Sequence, residues 1–207
     1  MRILITAGPT REPIDPVRYI SNRSSGQVGT SIGWAAQGRG HEVTMIVGRG
    51  VPTPVPARRI DVETTAEMHA AVTAEFPQHD LLIMAAAVAD YRPVKVSTEK
   101  LARADRLIIE CEATPDIVAA AAATRRPNQR VVGFSLEVEG SLERAREKLL
   151  RKGLDLIVYN PLATMESTTI EAALLWPDGR AQTLPCRSKD QFADNLLEYA
   201  EALFGRP

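Results

Sequence analysis

The sequence has almost no net charge: 25 Lys and Arg face 26 Asp and Glu, a net of -1 over 207 residues. That balance leaves no electrostatic footprint for nucleic acid, and no polybasic run suggests a membrane surface. Cysteine is scarce. Cys111 and Cys186 are far apart and lack metal-ligand spacing, which argues against a disulfide scaffold and for reduced thiols in a cytoplasmic protein. His41, His69 and His79 form no cluster with them, so a structural zinc site is not expected. No apolar run reaches the ~20 residues that a membrane-spanning helix needs. The N-terminal residues enter a strand pattern at once, without the cleavage region of a signal peptide.

What is present is a 44% hydrophobic composition, enough for a sizeable core. Short apolar runs alternate with helical stretches. Strands are expected at Arg2 to Ala7, Glu42 to Val47, Arg58 to Val62, Leu81 to Val88, Arg130 to Phe134 and Leu154 to Tyr159. Helices are expected at Gly26 to Gln37, Thr65 to Phe76, from a Thr114 cap through Pro115-Asp116, at Ser141 to Lys152 stopped by Gly153, and from a Ser188 cap to Leu203. The alternation predicts a Rossmann-like, doubly wound α/β fold with a mainly parallel sheet. Neither an internal repeat nor a low-complexity linker divides the chain, so 1–207 is read as a single domain. Two segments break the rhythm. One is 91–112, read as a flexible arm leaving the sheet. The other is 171–185, read as a hairpin about Pro177-Asp178-Gly179. Both are expected to project.

In open α/β sheets, ligands bind where the carboxyl ends of the strands meet loops. Four candidate regions fall there. The first is Gly8 to Gly29, within which Pro9 to Ser25 carries three prolines and no clear period and so reads as a long ordered loop, which in a compact domain is usually functional. Ser24, Ser25 and Gly26 end it at a helix start, where free amides favour phosphate or carboxylate, and Arg11, Arg18 and Arg23 add charged donors. The plainer reading makes Asn22 a turn residue and Ser24 an N-cap. In the second region, Ala85 to Pro93, small side chains at a strand end let a base or sugar approach the backbone and Asp90 could hold a ribose hydroxyl or a metal; the plainer reading is helix–sheet packing for the alanines and a turn at Asp90-Tyr91. The third is Lys100, on the arm, from which it could close over a triphosphate. The fourth is Lys148 and Lys152, four apart on one helix face, where they repel unless an anion or a carboxylate such as Glu143, Glu147 or Asp155 lies near.

Thr6 to Gly26, reading TAGPTREPIDPVRYISNRSSG, closely resembles the signature of the phosphopantothenate–cysteine ligase family. So do Ala86 to Tyr91, Glu99-Lys100, Pro115 to Val118, Gly133-Phe134 with Glu137, and Lys152 to Ile157, in order over nearly the whole chain. The resemblance implies a reaction. The carboxylate of 4′-phosphopantothenate attacks the α-phosphate of CTP with Mg2+ assisting, an acyl-cytidylate forms, and the amine of cysteine displaces CMP. ATP in place of CTP is the variant some relatives use. By the family pattern, Asn22 stabilises the acyl-cytidylate and Lys100 acts from the arm. Met84, Ala85, Ala86, Asp90, Pro115, Asp116, Ile117, Val118, Phe134, Lys148 and Lys152 bind nucleotide, and Arg18, Asn22, Ser24, Ser25 and Gly26 face the phosphopantothenate side. A homodimer is implied, and a phosphopantothenoylcysteine decarboxylase, fused or separate, is the implied neighbour in the pathway. No FMN is expected in this chain.

The sequence departs from that pattern in two places. Thr114 stands where many relatives have Asn, and Gln27-Val28 replaces Lys-Met, with loss of a positive charge near the anion site. Two rivals remain. A short-chain NADP reductase is suggested by the Tyr91–Lys95 spacing and by Arg49 as a 2′-phosphate ligand. Against it, Pro93 makes a helix over that pair costly by roughly 3 kcal/mol, and the first loop lacks G-x-G-x-x-G. A nucleotide-binding module without catalysis would keep Asp90, Phe134 and the lysines and would not need Asn22.

Overall fold

The structure is a computed structural model that describes residues 1–52, 55–138, 142–162 and 167–205, apart from the Cys186 side chain. Its centre is an eight-stranded sheet. The first strand, β1 (Arg2–Ala7), is flanked on one side by β4 (Glu42–Gly48) and then β5 (Arg58–Val62). On the other side come β6 (Leu81–Met84), β9 (Arg130–Glu137), β10 (Leu156–Pro161), β11 (Thr169–Leu175) and β12 (Ala181–Ser188). The six strands from β5 to β10 run parallel, and β11 runs antiparallel to both β10 and β12. The chain winds outward from β1 to β5 and then returns to β6 on the opposite side. The order therefore switches between β1 and β6, where crevices form in such folds.

Each face of the sheet has its own layer. Ile3, Ile5 and Ala7 pack against α1 (Gln27–Gly38) and α5 (Lys189–Ala202), while Leu4 faces α2 (Thr65–Glu75), α3 (Ile117–Thr124) and α4 (Leu142–Arg151). This alternation is the two-residue period of a strand buried on both faces. Thr64 and Glu67 close a capping box on α2, and Ser188 accepts from the Gln191 amide at 3.2 Å to cap α5 as its sequence predicts.

Several expectations need correction. The apolar run from Leu81 ends as a strand at Met84, four residues early, because its pairing with β1 and β9 stops at Thr6 and Gly133. Ala87 then bridges to Pro9. The Pro9–Ser25 loop contains a small antiparallel pair, β2 (Arg11–Pro13) and β3 (Tyr19–Ser21). Thr114 does not cap α3. Its hydroxyl donates to the Ala89 carbonyl at 2.6 Å, and Asp116 is the cap, accepting from the Ala119 amide at 3.1 Å. The 91–112 arm does form a hairpin base, β7 (Tyr91–Pro93) with β8 (Cys111–Ala113), outside the main sheet. The 171–185 hairpin does not leave the sheet. It is the sheet's edge, joined to β10 through Ala173 to Leu175, and its apolar residues are covered by α5 on one face and α4 on the other. Ser141, the expected start of α4, lies outside the described residues.

A candidate active site at the switch point

The sheet's switch point is built from two loops held together. The Ala87 amide donates to the Gly8 carbonyl at 2.9 Å, and the Thr10 amide to the Ala87 carbonyl at 3.3 Å. Asn22 joins them from above, its Nδ2 donating to the Val88 carbonyl at 2.8 Å with a longer contact to Ala87 at 3.4 Å. A side-chain amide has two donor hydrogens. One is committed to Val88, which fixes the orientation, and the second is only weakly engaged.

Over these loops lies a cleft of about 980 Å³. One wall is Ser24, Ser25, Gly26 and the start of α1. Gly26 caps α1 in the left-handed conformation at φ 73°, and no side chain completes the cap. Ser24 is therefore not the N-cap: its hydroxyl accepts from the Gly26 amide, while Ser25 accepts from Gln27. The Val28 and Gly29 amides of the first turn consequently keep their anion-binding capacity. A side chain at Gly26 would meet Val51 at 2.4 Å and Gly8 at 3.2 Å, so glycine is required there.

The opposite wall is Pro115 to Val118, with Lys148 reaching in from α4 and Lys152 from the turn that follows it, one residue beyond the helix that was expected to carry both. Glu143, Glu147 and Asp155 are not their carboxylate partners. Lys148 is held by Glu137 and Ser135, and Lys152 by Asp116 at 3.0 Å. Asp155 pairs instead with Arg125 and Arg130. Burial works to raise the Glu137 carboxyl, but hydrogen bonds from Lys148 and Ser135 and the charges of Lys148 and Arg144 outweigh it and hold it below the usual glutamate value. The floor is apolar, with Met84, Ala85, Ala86 and Phe134, whose ring meets Phe192 edge-on at 6.4 Å. Asp90 lines the cleft and is exposed.

The fold therefore brings together Asn22, Ser24, Ser25, Gly26, Met84 to Ala86, Asp90, Pro115 to Val118, Phe134, Lys148 and Lys152. It leaves three expected residues off the cleft lining: Arg11, whose guanidinium stacks over the Tyr19 ring at 4.7 Å, together with Lys100 and Arg18. Lys100 is exposed on the arm, and Arg18 turns to Asp15 and the Leu101 carbonyl. Sequence reading missed Lys189, which lines the cleft from α5 and donates to Gln27 Oε1 at 2.8 Å, returning a positive charge to the place where Gln27 had removed one. Nothing in the sequence joins two residues 162 apart. The reductase rival loses its geometry. Tyr91 is in a strand, not on a helix with Lys95, and Arg49 is paired with Glu63 at 2.8 Å. Cys111 is a free thiol, and the Cys186 side chain lies outside the described residues. Among the described residues no cluster of three metal-ligating side chains forms, and no helix is long and apolar enough to cross a membrane.

Residues 1–203 match the family described as DNA/pantothenate metabolism flavoprotein C-terminal domain. The chain belongs to that family. It is 43% identical over 204 residues to the coenzyme A biosynthesis bifunctional protein CoaBC of Vibrio cholerae, and 44% identical over 207 residues to that of Escherichia coli. Those alignments take in 95% and 96% of this chain but 51% of each relative, so the chain spans about half the length of the curated relatives it matches. The crystal structure of the C-terminal domain of a CoaBC superposes with a TM-score of 0.85 at 34% identity, covering 99% of this chain and 95% of that one.

Proposed function

We propose that this chain is a phosphopantothenate–cysteine ligase acting in coenzyme A biosynthesis: it activates the carboxylate of 4′-phosphopantothenate with CTP and joins the acyl group to cysteine. The observation that carries this reading is the meeting, in one cleft of a family member, of an oriented amide donor (Asn22), an uncapped helix start (Ser24 to Gly26) and a lysine-lined wall (Lys148, Lys152). An acyl-phosphate anhydride needs those three things: a neutral donor beside the reacting carbonyl, amides for one anionic group and cations for another. The apolar floor with Phe134 suits a base, and Asp116 with the Pro115 to Val118 turn suits its sugar. Lys100 closes from the arm, and Arg18 takes the phosphopantothenate side.

Magnesium ordinarily keeps one or two carboxylates together with substrate phosphates. Asp90 fits that role, since it lines the cleft without an ion pair among the described residues. The bound ion would offset charge on the nucleotide's phosphates.

The reading also includes a cytoplasmic homodimer, with a phosphopantothenoylcysteine decarboxylase as the fused or separate supplier of the neighbouring step. Support for the dimer comes from exposed apolar side chains on the small hairpin and the arm: Val17 at 60%, Tyr91 at 60% and Ile108 at 73%, with Val94, Val96 and Leu107 beside them in sequence. Exposed apolar patches of this kind mark interaction surfaces. Light scattering that reports only monomer at micromolar concentration would remove the dimer.

The decisive experiment measures pyrophosphate release from the purified chain with Mg2+ and 4′-phosphopantothenate, CTP and ATP in parallel, with and without cysteine. Release that requires phosphopantothenate, with CMP or AMP as co-product, is expected and identifies the base. Nucleotide binding without any release would leave a binding module.

A further inference from the structure

Four basic side chains line the cleft: Arg23, Lys148, Lys152 and Lys189. Two are already neutralised, Lys148 by Glu137 and Lys152 by Asp116. Lys189 differs. Its ammonium is half-buried and donates to a neutral carboxamide, Gln27 Oε1, at 2.8 Å, and no carboxylate among the described residues pairs with it. The acidic neighbour Asp190 faces elsewhere, accepting from the Ser31 hydroxyl at 2.6 Å.

The position is an unfavourable one for a cation. Lys189 is the first residue of α5 and Gln27 the first of α1, so the two side chains that meet are rooted at two helix N-termini, each with partial positive charge. Burial lowers its pKa, with no compensating carboxylate. A lysine that lines a cleft and meets only a neutral acceptor among the described residues has its charge compensated once an anion enters.

We propose that Lys189 is a substrate-binding residue, which together with the first-turn amides of α1 receives a phosphoryl group. The inference rests on the ligase reading, in which two substrates carry such a group: the nucleotide triphosphate and the phosphorylated acid. Both present the same chemistry to an ammonium, and direct binding separates them.

The test compares wild type with Lys189→Gln and Lys189→Arg by calorimetric titration of CTP, 4′-phosphopantothenate and unphosphorylated pantothenate. Losing a charged hydrogen bond to a phosphoryl oxygen weakens binding roughly 10- to 100-fold. Lys189→Gln is expected to lose that factor for CTP or for phosphopantothenate, whichever places its phosphate there, and to leave pantothenate unchanged. Lys189→Arg should recover most of the loss, and matching thermal melts should show that all three proteins fold. Unchanged affinity of Lys189→Gln for both phosphorylated ligands overturns the inference, as does an equal loss for pantothenate. Pyrophosphate release by wild type is scored separately. If release occurs and Lys189→Gln binds normally, the residue assignment falls and the ligase stands. If the affinity is lost but wild type releases nothing, the phosphoryl site stands and the ligase falls.

Discussion

The buried carboxylate of Asp15 accepts the main-chain amide of Leu101 at 3.2 Å, across 86 residues of sequence. The same carboxylate accepts from the Val17 and Arg18 amides, both at 2.8 Å, and Arg18 donates back to the Leu101 carbonyl at 3.0 Å. The Ser97 amide adds a bond to the Ile14 carbonyl at 2.9 Å. The arm is therefore tied, on both sides of Lys100, to the loop that carries Arg18 and Asn22. Lys100 meets no partner at its tip among the described residues, but its root is held.

Asp15→Asn should loosen that root. An amide nitrogen cannot accept from Leu101, and the charge facing Arg18 is lost. Trypsin should then cut the variant at the exposed Lys100, Arg103 or Arg106 several-fold faster than wild type, while sites in α4 keep their protection. Equal cleavage rates at the arm would mean that the tether does not order it.

Glu137 supplies a pH dependence with a definite sign. Its folded pKa is lowered, through Lys148 and Ser135, from the ordinary 4.5. The unfolded chain therefore binds the proton more readily. The stabilisation is fully present above the unfolded value and drains away as pH falls through the lower folded value. Thermal melts of wild type should fall with acidification below about pH 4.5. Glu137→Gln should start lower at neutral pH and decline less steeply over that acid limb. Parallel curves for the two proteins would sink this account.

Much of the fold was legible because local signals and tertiary packing agree. The segments Arg2 to Ala7 and Arg58 to Val62 become strands with those bounds, and Ser188 caps the helix that its position announces. The β2–β3 pair was hidden because Pro13 and Pro16 break any period and each strand is three residues long. Leu81 to Val88 read as one strand because apolar content does not report where the neighbouring strands stop. In the site, the motif residues that line the cleft were named from sequence, but their charge partners were not. Lys148 finds Glu137 on β9 and Lys152 finds Asp116 ahead of α3, while the nearer Glu143, Glu147 and Asp155 are bypassed. Helical spacing ranks neighbours along one element and says nothing of the strand beneath it.

Packing between α1 and β1 makes a stability prediction. A Cβ on Gly29 would lie 2.7 Å from Ala7 Cβ and 3.0 Å from the Thr6 carbonyl oxygen, while one on Gly38 would meet nothing within 4 Å. Alanine gains helix propensity over glycine by about 1 kcal/mol, but overpacking costs typically 1–3 kcal/mol. Gly29→Ala should therefore lower the melting temperature by several degrees and weaken anion binding, since the helix start must shift. Gly38→Ala should leave it unchanged or slightly raised. Equal melts for the two variants would show that the helix accommodates the methyl group.

Asn22 tests the chemistry itself. Its Nδ2 faces the Val88 carbonyl at 2.8 Å, so the amide is oriented by the loop it bridges. Asn22→Asp puts a carboxylate oxygen against that carbonyl and a negative charge beside the reacting centre. Asn22→Ala removes the donor without adding charge. Removal of one donor to a developing oxyanion costs roughly 100- to 1,000-fold in rate. Both variants should therefore bind nucleotide within a few-fold of wild type and lose about that factor in forming the amide product, with Asp the worse of the two. Stopped assays that follow pyrophosphate and 4′-phosphopantothenoylcysteine separately locate the loss. Pyrophosphate without product marks an intermediate formed and then mishandled, whereas neither marks failure to form it. Wild-type rates in both variants would take Asn22 out of the reaction and leave it as a strut between two loops.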